Sequence, residues 1–267
     1  MRFVMNSAML VSVCRSSALQ RRLRGIWLGR RGYQPVYTLQ HQLHGLRRDG
    51  EIGDTVLLLE HDPVITIGRG GKPTHVLASG SELKRRGVEL LETNRGGDVT
   101  LHAPGQLVCY PIVDLSPDRR DVRRYVGDLT ETMRRVVRGW GLDTGVMQNL
   151  VGLWVDRACP DHWGDEASAQ LPAKLGAIGV RISRWVTMHG FALNLHVDLT
   201  LYSLLVPCGI TRYPVTSVHA LIEQDVSAKE TAPHAFRCLA KVLAAEPGEL
   251  ENAEACECSD VLTLARV

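Results

Sequence analysis

The chain has 267 residues, 45% of them apolar and 22% charged, with a formal net charge of +2, the balance of an ordinary globular domain. No apolar run approaches the ~18 residues that a membrane span requires, so no integral membrane role is expected. Residues 1–48 hold nine arginines and no acidic residue, which leaves 22 of the 31 basic and all 29 acidic residues to the remainder; a nucleic-acid role has only that basic start in its favour, and none is expected.

Residues 1–24 read as a leader or an over-long start outside the fold. The stretch is Arg-bearing and acid-free, which suits a mitochondrial transit peptide, whereas Met5 and Met9 offer later initiation points for a cytoplasmic bacterial protein. The second reading is preferred, with the mitochondrial matrix as the alternative location. From Gly25 to Tyr33 the sequence predicts a first strand. Val36, Leu39, Leu43 and Leu46 then recur at helical spacing up to Gly50. Thr55–Gly70 holds two apolar runs split by His61-Asp62-Pro63, a strand–turn–strand signal. A short helix (81–87) and a strand (88–94) lead into the run RGGDVTLHAPGQ, Arg95–Gln106, and a buried strand follows to Leu115.

Arg119–Gly141 predicts a long amphipathic helix with Val122, Val126, Leu129, Met133, Val136 and Val137 as its apolar stripe. Its seven arginines, 119, 120, 123, 124, 134, 135 and 138, are either a face for an acidic partner or a solvated surface. Gly152–Arg157 is a strand and residues 161–173 a polar loop. Lys174–Leu195 reads as strands around a break at His189-Gly190, followed by a short helix (200–205), a loop (207–217) and a last helix (233–245). The stretch 246–267 is expected to be a polar, acidic, frayed tail. Strands come in runs with helices interspersed, which favours one α+β domain, 25–245, with a mixed, largely antiparallel sheet flanked by helices.

Seven cysteines in irregular spacing, without a CxxC pair, suggest free thiols in a reducing compartment and no metal site. Four segments place chemically capable residues beside apolar, β-rich stretches. In the glycine run, a phosphate cradle would need a helix start straight after the glycines; Val99, Thr100 and the following Pro104-Gly105 flank the loop with strands instead, and a tight hairpin is the other local reading. Lys174 in KLGAIG is either a strand-edge lysine snorkelling to water or a desolvated proton donor and acceptor. His189 in TMHGFALNL is either a satisfied core histidine or a functional one. Cys208 in VPCGI is either a buried structural cysteine or a thiol exposed by a Pro-Cys-Gly turn, which would need a basic partner to act as a nucleophile.

Taken together and in order, RGGDVTLHAPGQL, KLGAIGVRI, TMHGFALNL and VPCGI resemble the signature of the lipoyl(octanoyl) transferases, with HDPVITIGRG similar to the strand pair that precedes it. The resemblance runs from about Gly25 to about Thr231. It implies a fold like that of the biotin and lipoate protein ligases. It also implies transfer of an octanoyl group from octanoyl-acyl carrier protein to a lysine on lipoyl domains of 2-oxoacid dehydrogenase complexes and the glycine cleavage H protein, by a monomer without cofactor or metal. Cys208 matches the acyl-accepting cysteine of that family and Lys174 the lysine that favours its thiolate. Arg95, Gly96, Gly97, Asp98, Val99, Thr100, Leu101 and His102 match its acyl-substrate contacts, as do Ala177, Ile178 and Gly179, and Gly190, Phe191 and Ala192. Two positions depart from the pattern, Leu101 for an aromatic residue and Ala103 for a glycine. The rivals are an ATP-dependent lipoate or biotin ligase on the same fold, an amidotransferase between lipoyl proteins, and a non-catalytic module that holds lipoyl domains.

Overall fold

A computed structural model describes residues 21–266. Eleven strands and six α-helices are arranged around one large mixed sheet among the described residues. The sheet runs in the order β11 (Glu246–Asn252), β1 (Arg22–Arg31), β2 (Asp54–His61), β6 (Gln106–Ile112), β10 (Val186–Asn194), β9 (Pro172–Ser183), β8 (Leu150–Asp156), β7 (Gly145–Met147). Only β1 with its two neighbours is parallel; from β2 onward every pairing is antiparallel. A small second sheet has the order β4 (Glu89–Glu92), β3 (Val64–Ile67), β5 (Val99–His102). The mixed, largely antiparallel α+β architecture expected above is the one found.

The central strands are apolar on both faces because helices cover both. Val56 and Leu58 of β2 face α3 (Val122–Arg138) and α5 (Ala228–Val242), packing with Leu129, Met133 and Phe236. Leu57 and Leu59, one residue out of phase, face α1 (Tyr33–Arg48) and α6 (Cys258–Ala265), packing with Val36, Leu39 and Val261. Ile65, Ile67, Val99 and Leu101 of the small sheet share a separate cluster with Leu83 of α2 (Gly80–Arg85) and with Leu204 and Leu205.

Several elements differ from the sequence reading. The stretch from Glu246 is not frayed: β11 extends the sheet beside β1, with a forked Arg24–Glu251 pair at 2.7 and 2.9 Å, and α6 seals the α1 face. Its composition is polar because β11 is an edge strand and α6 buries only Val261 and Ala265. Residues 22–24 belong to β1, so the fold starts inside the expected leader, while residues 1–20 lie outside the described ones. The turn between β9 and β10 falls at Arg184-Trp185, both at positive φ, and His189-Gly190 sits inside β10. The helix α3 starts at its Asp121 cap, which leaves Val122 about half exposed (49%) and outside the stripe. Three of the seven arginines on or beside it are paired within the chain: Arg119 with Asp128, Arg134 with Asp143, and Arg135 with Glu131. The last helix, α5, begins five residues before Pro233, at a Ser227 cap, and tolerates the proline in its second turn.

Candidate active site

The site forms where the segment leading into β5 of the small sheet meets the middle of β9 and β10. Lys174 stands near the start of β9 and is buried (5% exposed). Its backbone is held on both sides by the chain that follows the cysteine turn: Lys174 N donates to Pro214 O and Thr216 N donates to Lys174 O, each at 2.9 Å. That bridge draws Cys208 in beside it, and Lys174 Nζ lies 3.2 Å from Cys208 Sγ. The ammonium also sits 5.8 Å from the ring centroid of Trp154 on the neighbouring strand β8, a cation–π contact that helps aim the side chain. The lysine reaches the sulfur only because residue 152 of β8 is a glycine at φ +142°; a Cβ there would come within 2.7 Å of Lys174 Cε.

Cys208 occupies a short 3₁₀ turn, Pro207–Gly209, at φ 55°, a left-handed conformation that a cysteine seldom adopts. The turn is fixed from outside. Val206 N donates to His75 O at 2.7 Å, Leu77 N and Ala78 N donate to Leu204 O, and Gly209 packs so closely on Asp98 and His75 that a Cβ would stand 2.9 Å from Asp98 Oδ2 and 3.0 Å from His75 Cε1. Asp98 in turn accepts from His75 Nδ1 at 2.5 Å and from Lys72 N at 3.0 Å. Side chain and backbone together therefore lock the cysteine into the one geometry that presents its thiol to the slot.

Cys208 lies on a narrow slot with about 440 Å³ of empty space, part of it open to solvent. Of the residues singled out in the sequence, Arg95, Gly97, Asp98, Thr100 and His102 line it on one side. Ala177, Ile178, Gly179, Gly190, Phe191 and Ala192 line it on the other. Gly96 tethers the loop to β9 by donating to Val180 O at 2.9 Å. Val99 and Leu101 do not face the slot: strand alternation in β5 turns Thr100 and His102 inward and sends those two into the core of the small sheet. Tyr33 and Tyr110 line the slot as well and went unnoticed in the sequence, because Tyr33 reads there only as the end of the first strand and Tyr110 as core. His189, left open above, is buried against the slot, with Nε2 bonded to Asn94 Oδ1 at 3.0 Å.

The exposed surface of the slot is mostly apolar and carries little charge. Burial drives the imidazole of His61, just behind the wall, down to about 4 and that of His189 down to about 3, and holds His102 well below its ordinary value. All three rings are therefore neutral near pH 7. Burial likewise pushes the Tyr33 and Tyr110 hydroxyls up. The charged side chains that line the slot are Asp98 and Arg95. The buried Arg95 guanidinium bonds neutral oxygens: Thr66 Oγ1, Thr66 O (2.6 Å) and Gly96 O. It is a fixed cation with no carboxylate in hydrogen-bond contact among the described residues. A buried network, Gln106 to Asn194 (3.0 Å), to Tyr202 (2.9 Å) and to His102 (3.2 Å), ties this wall to the helical turn preceding Cys208.

This architecture is similar to that of a putative lipoate protein ligase from T. acidophilum with bound lipoic acid (TM-score 0.61, 16% identical, covering 92% of this chain and 96% of that one). It is also similar to P. falciparum LipL1 in complex with lipoate (TM-score 0.63, 9% identical, covering 92% and 72%). At such identities the likeness establishes the class of fold, that of the lipoate ligases. Residues 33–240 match the family model of the lipoyl protein ligase A/B catalytic domain. The octanoyltransferase of Chloroflexus aurantiacus is 44% identical over 222 residues, 83% of this chain and 94% of that protein. The octanoyltransferase of Myxococcus xanthus is 46% identical over 192 residues, 72% of this chain and 51% of that longer protein. The chain belongs to the lipoyl protein ligase A/B catalytic family, among its octanoyltransferases, and is an acyltransferase of protein lipoylation.

Proposed function

We propose that the protein moves an octanoyl group from octanoyl-acyl carrier protein, by way of a thioester on Cys208, to a lysine of lipoyl domains and of the glycine cleavage H protein. The observation that carries this reading is the 3.2 Å contact between Lys174 Nζ and Cys208 Sγ on the wall of the slot. A thiolate, not a thiol, attacks a thioester, and an ammonium in contact with the sulfur favours the thiolate. The carbonyl carbon accepts Sγ, the bond to the carrier sulfur breaks, and Lys174 gives that departing sulfur its proton. The alkyl chain lies in the slot between Ala177–Gly179 and Gly190–Ala192, with the Arg95 guanidinium on the lining as a second cation besides Lys174. Because the donor is already a thioester, no adenylate is required, which fits relatives described as transferases. The reaction needs a reduced thiol, and the free cysteines among the described residues suit the cytoplasm.

Intact-mass analysis after mixing with octanoyl-acyl carrier protein tests donor, chemistry and nucleophile together. The native protein should gain one octanoyl group, and Cys208→Ala none. Full transfer by the alanine variant would end the covalent reading. In Lys174→Ala, alkylation of Cys208 by iodoacetamide should be at least tenfold slower at pH 7; an unchanged rate would remove the lysine from its role.

A further inference from the structure

The thioester route leaves one proton without a destination. An acceptor lysine arrives as an ammonium with three N–H bonds, and the amide it becomes keeps one. Two protons must therefore leave as the N–C bond forms and the bond from the carbonyl carbon to Cys208 Sγ breaks. Lys174, neutral after protonating the carrier thiol, takes one and restores the ammonium–thiolate pair. The second goes to solvent before attack unless another base near the carbonyl takes it.

Resting on the proposed function, we propose that His75 is that base, accepting the second proton on Nε2 while Asp98 orients the ring. His75 stands against Gly209, the residue after the nucleophile. Its Nδ1–H donates to Asp98 Oδ2 at 2.5 Å, which fixes the tautomer and leaves the Nε2 lone pair to accept. No described residue hydrogen-bonds Nε2, and the side chain is a quarter exposed (25%), so an incoming amine can reach it. Asp98 lines the slot alongside Cys208 and gains a second bond from Lys72 N at 3.0 Å, so the orienting carboxylate is itself held in place. A nucleophile, a neighbouring base and a group that orients the base are the parts of an assisted acyl transfer. Here one base touches the nucleophile and a second stands against the residue that follows it, and each has its own proton to take. Neither Lys174 nor Arg95 is free to accept a second proton: the first is filled by the first proton, and the second remains a guanidinium.

The test separates the two half-reactions. Octanoyl-enzyme is formed from octanoyl-acyl carrier protein with the native protein and with His75→Gln, then mixed at pH 7 with a lipoyl domain, and loss of the adduct is followed by intact mass. The adduct should form at the native rate in the variant, and its discharge to the lipoyl domain should slow about a hundredfold. Discharge to hydroxylamine, which is already neutral at pH 7 and sheds a single proton, should match the native rate. Asp98→Asn keeps the ring and removes its carboxylate; it should slow discharge to the lipoyl domain at least tenfold more than discharge to hydroxylamine, which keeps the test open should the His75 variant fail to fold. Native-rate discharge to the lipoyl domain would overturn the proposal, as would hydroxylamine slowing by the same factor. If the native protein forms no adduct, the thioester reading fails and this inference with it; if the adduct forms and only the discharge result is wrong, the inference alone fails.

Discussion

A Cβ on residue 152 would lie 2.7 Å from Lys174 Cε and 2.5 Å from the Gly176 carbonyl oxygen, in a backbone conformation at φ +142° that side chains rarely adopt. Gly152→Ala is therefore expected to push the lysine off the sulfur while leaving the thiol itself in place. Transfer should fall at least tenfold, with alkylation of Cys208 slowed in parallel and a loss of stability of about 1–3 kcal/mol from the strained backbone. An alanine variant with native alkylation kinetics would mean that the glycine serves the fold alone. At this scale the sequence was informative about types and blind to pairs. Cys208, Lys174 and the Gly-rich loop were found by motif. His75 was missed because a lone histidine in KPTHVL carries no pattern, and its partner lies 23 residues further on. Val99 and Leu101 were counted as contacts because a matching motif does not say which side of a strand a residue takes.

At the scale of elements, the C-terminal segment gives the clearest lesson. Strand β11 and helix α6 read as a loose tail because their apolar residues are few and lack a strong period. Their order comes from partners far back in the chain: β1 offers an open edge, and the α1 face needs Val261 and Ala253 to close over Ile26 and Leu28. Truncation after Ala245 should therefore destabilise the whole domain. It bares several large side chains worth about 1.5–3 kcal/mol each and frees an edge strand for aggregation. A thermal melt of the truncated protein should fall by more than 10 °C or show no cooperative transition; an unchanged melt would make the segment an ornament. By contrast, α1 and α3 were legible from periodicity, since each carries an amphipathic stripe that needs no knowledge of what it meets.

For the molecule as a whole, the slot sets a limit on acid tolerance. Burial keeps His61, His102 and His189 neutral in the folded state, whereas in the unfolded chain a histidine takes up a proton near pH 6.5. Their contribution is complete above about pH 6.5 and is lost as the pH falls toward their folded values, about 4 for His61 and about 3 for His189. Each ring should cost about 1.4 kcal/mol per pH unit through that window. Urea midpoints are expected to drop steadily from pH 6.5 to 4.5, before most carboxylates titrate; a flat profile there would mean that the rings are not held neutral by burial.

By itself the sequence determined the domain class, the order of most strands and helices, the family, and the residue types able to carry acyl transfer, because strand and helix periods and short motifs are properties of neighbouring residues. The tertiary structure alone decided which of those residues meet. It brought an amine from β9 and a sulfur from a turn 34 positions later together on one slot, with an imidazole–carboxylate pair from the segments ahead of α2 and β5 against that turn, and it gave the C-terminal segment a place in the sheet. Such contacts depend on how distant segments fold back on one another across a shared core, and no local pattern encodes that distance.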